Sequence, residues 1–128
     1  MANEKLKISG IGGIFFRSKG PEALGPWYEE HFGVLQVGPS GIWMQEAGPT
    51  VFSPFPEDTD YFGRMDQPFM LNFRVDDIDA MLEQLKASDV KIDEKREDTE
   101  YGRFAWVYDP EGTKIEIWEP PKMPPTMS

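Results

Sequence analysis

Apolar and polar positions along this chain follow two periods, and the periods predict its elements. Residues 10–17 (GIGGIFFR) form an aliphatic and aromatic run that reads as a strand. Leu24, Trp27, Tyr28 and Phe32 then recur at i, i+3, i+4 and i+8, one face of a helix. Pro26 predicts a kink or a delayed start, and Gly33 an end. Short strands are expected at 42–46 and 50–55, joined by Ala47-Gly48-Pro49. Pro54 to Pro68 has no period and many turn formers, and connections of that length are often functional or linking. A strand at 69–75 follows, and Asp76-Asp77 offers an N-cap. Ile78, Met81, Leu82 and Leu85 lie at i, i+3, i+4 and i+7, a strongly amphipathic helix. Residues 93–100 (DEKREDTE) read as a solvated loop. Strands at 103–108 and 113–119 flank a turn, Asp109-Pro110-Glu111-Gly112. The tail from Pro120 to Ser128 has four prolines in nine residues and is expected to be extended and mobile.

The order is β-α-β-β, loop, β-α-β-β, with room for one weak extra strand per half, and it reads as an internal repeat. An offset of 57 sets Gly13 on Met70, Phe16 on Phe73, Arg17 on Arg74, Leu24 on Met81 and Tyr28 on Leu85. In the last strands an offset of 64 sets Phe52 on Glu116. A length of 128 residues suits one domain, or two small halves sharing a core. The absence of cysteine excludes disulfides and thiolate metal sites. A net charge of −10 argues against nucleic acid or an anionic membrane as partner. No apolar run nears the roughly 20 residues of a membrane span. The N-terminal residues lack the apolar core of a signal peptide, so a soluble, cytoplasmic protein is expected.

Two segments, FRVDDIDAMLEQLKASDV (73–90) and DPEGTKIEIWEP (109–120), together with the repeat, resemble the vicinal-oxygen-chelate superfamily. That group includes glyoxalase I, extradiol dioxygenases, fosfomycin-resistance enzymes and bleomycin-resistance proteins. The resemblance spans about residues 8–120. It implies an α+β fold of two βαβββ modules in one chain, forming a cup-shaped mixed sheet with helices outside. Module 1 would run from about 8 to 55, a linking loop from 56 to 68, module 2 from 69 to 120, and a Pro-rich tail from 121 to 128. It also implies a homodimer. In the metal-dependent members, His, His and Glu from equivalent strands meet around one divalent ion. The matching positions here are Gly13, Phe52, Met70 and Glu116, of which only Glu116 offers a donor suited to such metals. No metal and no cofactor are therefore expected. His31, the only histidine, falls near the end of the first helix and reads as a solvated or capping residue.

Strand alternation sorts what would line the cup. With Gly13, Met70 and Glu116 facing inward, Phe15, Arg17, Asn72, Arg74 and Trp118 share their parity. Ile14, Phe16, Leu71, Phe73, Ile115 and Ile117 then face the helices, a uniformly apolar set. Phe104, Trp106 and Tyr108 join the cup from the neighbouring strand, and Trp43 and Phe52 from the first half. The expected ligand-binding set is thus Phe15, Arg17, Trp43, Phe52, Met70, Asn72, Arg74, Phe104, Trp106, Tyr108 and Trp118. Glu116 is the candidate catalytic group, because a carboxylate unpaired among aromatics can serve as a general base. The same aromatics would also serve as ordinary core, either arginine would sit equally well at a solvated rim or pair with a carboxylate, and Glu116 would equally be a relic salt-bridged to one of them. The loop 54–68, with Tyr61 and Phe62 beside Gly63, suits a lid, a plain link or a dimer contact. Three functions compete. The first is a metal-independent protein, similar to the bleomycin-resistance type, binding a small cationic or aromatic molecule. The second is a glyoxalase-like lyase or isomerase using Glu116 as base or an atypical metal site. The third is an interaction module whose cup is filled by its own side chains.

Overall fold

Four strands and two helices make up the regular structure of this computed structural model, which describes residues 5–36, 38 and 41–122. In chain order these are α1 (Pro21–Phe32), β1 (Leu71–Arg74), α2 (Ile78–Ala87), β2 (Lys91–Thr99), β3 (Gly102–Tyr108) and β4 (Lys114–Glu119). The strands form one mixed sheet of order β1-β4-β3-β2, with β1 parallel to β4 and the other pairs antiparallel. Residues 109–112 make the tight β3–β4 connection, with Gly112 N–H donating to the Asp109 carbonyl.

Side-chain alternation puts Leu71, Phe73, Ala105, Val107, Ile115 and Ile117 on one face of the sheet, where they form the core with Leu24, Tyr28, Ile78 and Leu85 of the helices. Ile78, Val107, Ile115 and Ile117 are fully buried. α2 forms where its period predicts it. The Asp77 carboxylate accepts from Ala80 N–H, and Glu119 from β4 accepts from Ile78 N–H at 2.9 Å. α1 runs through Pro26 and ends at Gly33 in a left-handed conformation that returns its N–H to the Glu29 carbonyl. Gly20 gives α1 no side-chain cap. Instead the Glu111 carboxylate accepts from Ser18 Oγ and from the N–H groups of Lys19 and Gly20. Tyr28 then ties α1 to the β3–β4 turn through a 2.7 Å bond to buried Asp109. Burial, reinforced by that bond, pushes the Tyr28 phenol far above its usual value.

The expected pair of βαβββ modules enclosing a cup is overturned. All four strands lie after residue 70, and the single small sheet does not close. Residues 10–17, 42–46 and 50–55 carry apolar strand-like sequence but join no ladder, so the internal repeat has no structural counterpart. Composition weakens these segments. Ten of the twelve glycines precede Arg64, and each glycine raises the entropic cost of fixing an extended backbone. A strand also needs a bonded partner, and these segments pair with none in the sheet. The opposite correction applies to 93–100, read as a loop. All of it but Glu100 belongs to the long edge strand β2, whose exposed charges suit an edge that must not recruit other strands. The tail beyond Lys122 lies outside the described residues.

Candidate functional site

The sheet's second face carries the polar and aromatic residues. Register sets them in rows: Asn72 beside Glu116 beside Trp106, and Arg74 beside Trp118 beside Phe104. The centre of the first row is a carboxylate only 7% exposed. Glu116 Oε1 accepts from Asn72 Nδ2 at 2.7 Å, and Oε2 accepts from Trp106 Nε1 at 3.1 Å and from the Tyr61 hydroxyl. The donors are neutral, and among the described residues no cationic side chain bonds this carboxylate. Glu116 is therefore neither unpaired among the aromatics nor salt-bridged to Arg17 or Arg74, the two states the sequence left open.

Tyr61 arrives from the segment between Pro54 and Pro68, which folds across this face. Burial, then the bond to Glu116, drives the Tyr61 phenol well above its ordinary value. Lys114 Nζ donates to the Tyr61 carbonyl at 2.9 Å. Gln67, itself buried, exchanges bonds with the Lys114 backbone, donating through Nε2 and accepting at Oε1. Arg64 donates to the Glu111 carbonyl. Phe55 stacks on Tyr61, and Tyr61 meets Trp106 edge-on. The segment is thus fixed as a cover along one side of a cleft.

That cleft has a volume of about 1380 Å³. Its floor is Met70, Asn72, Phe104, Glu116 and Trp118, and its walls include Val51, Phe55, Tyr61, Phe62 and Phe69. On that floor the Phe104 and Trp118 rings stack nearly parallel, 12° apart, with centroids 6.4 Å apart. Trp118 Nε1 is anchored to the Tyr101 carbonyl. Apolar walls around one or two fixed polar groups are the usual composition of a small-molecule site.

The expected ligand-binding residues divide. Met70, Asn72, Phe104 and Trp118 come together on the cleft floor with Glu116, and Trp106 lies beneath it. Phe15 and Phe52 are 93% and 89% exposed and do not line the cleft. Arg17 is exposed as well. Trp43 packs edge-on against Phe73, at the side of the sheet that carries α1. Arg74 donates to the carbonyls of Glu46 and Pro49 and so holds the 46–50 turn against β1. A Cβ on Gly48 would come within 2.9 Å of that guanidinium. Tyr108 bonds Asp93 at 2.7 Å, away from the cleft. Burial and that carboxylate push its phenol up to about 12. Tyr61 was absent from the expected set because it lies in an aperiodic segment, where alternation assigns no face.

Among the described residues, no group of three or more His, Cys, Asp or Glu is placed to hold a metal ion. Of the four positions matching the metal ligands, Gly13 and Phe52 are exposed, and Met70 offers only a thioether beside Glu116. This donor set does not fit the divalent ion of the metal-dependent enzymes.

Comparison with known proteins fits this geometry. The model of the Glyoxalase/Bleomycin resistance protein/Dioxygenase superfamily matches residues 10–117. The chain belongs to that superfamily. A similar solved structure is TnmS3, an antibiotic binding protein from Streptomyces sp. CB03234. It is 26% identical, with a TM-score of 0.60 over 91% of this chain and 100% of that one. A glyoxalase/bleomycin resistance protein from the same organism is 31% identical over 41% of this chain and 46% of that one, with a TM-score of 0.36. No curated protein matches. Among the described residues, no helix of this superfamily member is long and apolar enough to cross a membrane.

Proposed function

We propose that this chain is a metal-independent binding protein whose cleft takes a small aromatic molecule bearing a cationic or hydrogen-bond-donating group. The observation that carries the reading is Glu116, a buried carboxylate on an aromatic cleft floor, met only by neutral donors. An aromatic ligand would lie against Phe104 and Trp118 while its amine replaced or supplemented the Tyr61 hydroxyl at Glu116. Charge-assisted bonds of this kind are among the stronger polar contacts. The likeness to an antibiotic-binding protein over nearly the whole chain supports binding without turnover. The net charge of −10 favours cations at long range and disfavours nucleic acid, and the reading is of a cytoplasmic protein. A lyase or isomerase would need Glu116 free to take a proton from carbon, whereas three donors hold it here.

The test is a binding series with aromatic amines and their neutral, isosteric analogues, on wild type and Glu116→Gln. Wild type should prefer the amine. The variant should bind the amine at least about tenfold more weakly while its affinity for the neutral analogue stays unchanged. Equal affinity for both probes in both proteins would remove Glu116 from the reading.

A further inference from the structure

The three donors that hold Glu116 differ in how readily each can be given up. Oε2 accepts from both Trp106 Nε1 and the Tyr61 hydroxyl, whereas Oε1 accepts from Asn72 Nδ2. Trp106 is 1% exposed and lies inside β3, so its N–H leaves only if the sheet opens. Among the described residues Asn72 alone serves Oε1, and its loss leaves that oxygen bare. Tyr61 differs on both counts. Its loss leaves Oε2 still bonded to Trp106, and its half-buried side chain lines the cleft from a segment outside the sheet.

The Tyr61 backbone is fixed, but its hydroxyl is not. Lys114 Nζ holds the Tyr61 carbonyl, and Thr59 Oγ1 accepts from the Tyr61 N–H. A turn about the side-chain bonds carries the hydroxyl off the carboxylate and into the open cleft, where water accepts its proton. Burial and the nearby carboxylate keep the phenol protonated. It is a neutral donor wherever an aliphatic amine is charged.

A neutral ligand offers Glu116 the same kind of bond that Tyr61 already makes. An alcohol that took this place would exchange one such bond for another and gain nothing. An ammonium adds the attraction of a full charge, in a site too buried for water to screen it well. Specificity is a difference of affinities, and an internal competitor cancels one side of it.

We propose that Tyr61 is a charge filter: its hydroxyl occupies the ligand's place on Glu116, and only a cationic donor displaces it. The ligand class narrows to aromatic ammonium compounds, with neutral hydrogen-bonding analogues bound no better than hydrocarbons of the same shape. The inference rests on the reading of Glu116 as the ligand's anchor.

The test uses three probes of one shape: naphthylmethylammonium, naphthylmethanol and ethylnaphthalene. Each is titrated near neutral pH into full-length wild type, Tyr61→Phe and Glu116→Gln. In wild type the alcohol should bind no more tightly than the hydrocarbon, and the ammonium at least about tenfold more tightly. Tyr61→Phe keeps the ring that meets Phe55 and Trp106. There the alcohol should gain at least about fivefold over the hydrocarbon, and the ammonium should tighten by a similar factor, because neither has a hydroxyl to displace. Ratios between probes within one protein cancel any general loosening of the cover. An alcohol that beats the hydrocarbon in wild type, or merely equals it in Tyr61→Phe, overturns the filter. Carbon-13 NMR of the tyrosine Cζ atoms gives a readout on wild type. The Tyr61 resonance should move far more on saturation with the ammonium than with the hydrocarbon, and equal shifts overturn the filter. Glu116→Gln separates the two claims. If the ammonium's advantage survives in that variant, the anchor reading itself fails. If the advantage is lost there while Tyr61→Phe changes no ratio, the filter alone fails.

Discussion

Gly102 opens β3 at φ +125°, a region that disfavours any side chain. A Cβ there would lie 2.5 Å from the Glu119 carbonyl oxygen and 2.6 Å from Trp118 Nε1. Gly102→Ala should therefore destabilise the protein by about 2–4 kcal/mol and disturb Trp118 as well. Thermal unfolding checks this, and a change below about 0.5 kcal/mol would show that the close approach is not rigid. Other single positions were readable from alternation alone. Asn72, Glu116, Trp118 and Phe104 share a face because a strand has period two, and the helix-facing set is apolar for the same reason. Tyr61 was not readable as a partner of Glu116. Its place depends on Gln67, Arg64 and Lys114 bonds that span some 47 to 53 positions of sequence, and no local pattern encodes them.

At the scale of elements, both helices are capped by carboxylates from the far end of the chain. Glu119 serves the N-terminus of α2, and Glu111 that of α1. Such caps favour the charged carboxylate, because the N–H groups point at it and the helix dipole adds to them. The Ser18 bond, then the Lys19 N–H bond, hold the Glu111 carboxyl below the usual carboxylate range. Its folded value lies below its unfolded one, so its contribution is present above about pH 4.3 and is lost as pH falls through the folded value. Glu111→Gln should lower the melting temperature modestly at pH 7, and the gap to wild type should close toward pH 3. A gap that stays constant over that range would show the carboxylate's charge to be irrelevant to α1. α2 was legible because one amphipathic period and one Asp cap lie in a single run. The strands expected at 10–17, 42–46 and 50–55 were misread because their alternation records side-chain character, while strand formation needs a bonded neighbour. β2 was missed for the converse reason. Its residues look like loop, but β3 supplies the ladder.

At the scale of the molecule, the superfamily resemblance was carried by the second half, and that half forms the sheet and most of the cleft floor. The first half supplies α1, part of the cleft wall and a neutral apolar face. On the proposed function, the cleft binds an aromatic ligand against Trp118 without transforming it. The most direct measurement is tryptophan fluorescence during titration with aromatic amines, with the ligand recovered and weighed by mass spectrometry afterward. Binding without turnover predicts saturable quenching that is largely lost in Trp118→Phe, kept in Trp43→Phe, and accompanied by unaltered ligand. Absence of saturable quenching by any probe, or recovery of a chemically changed ligand, would contradict it.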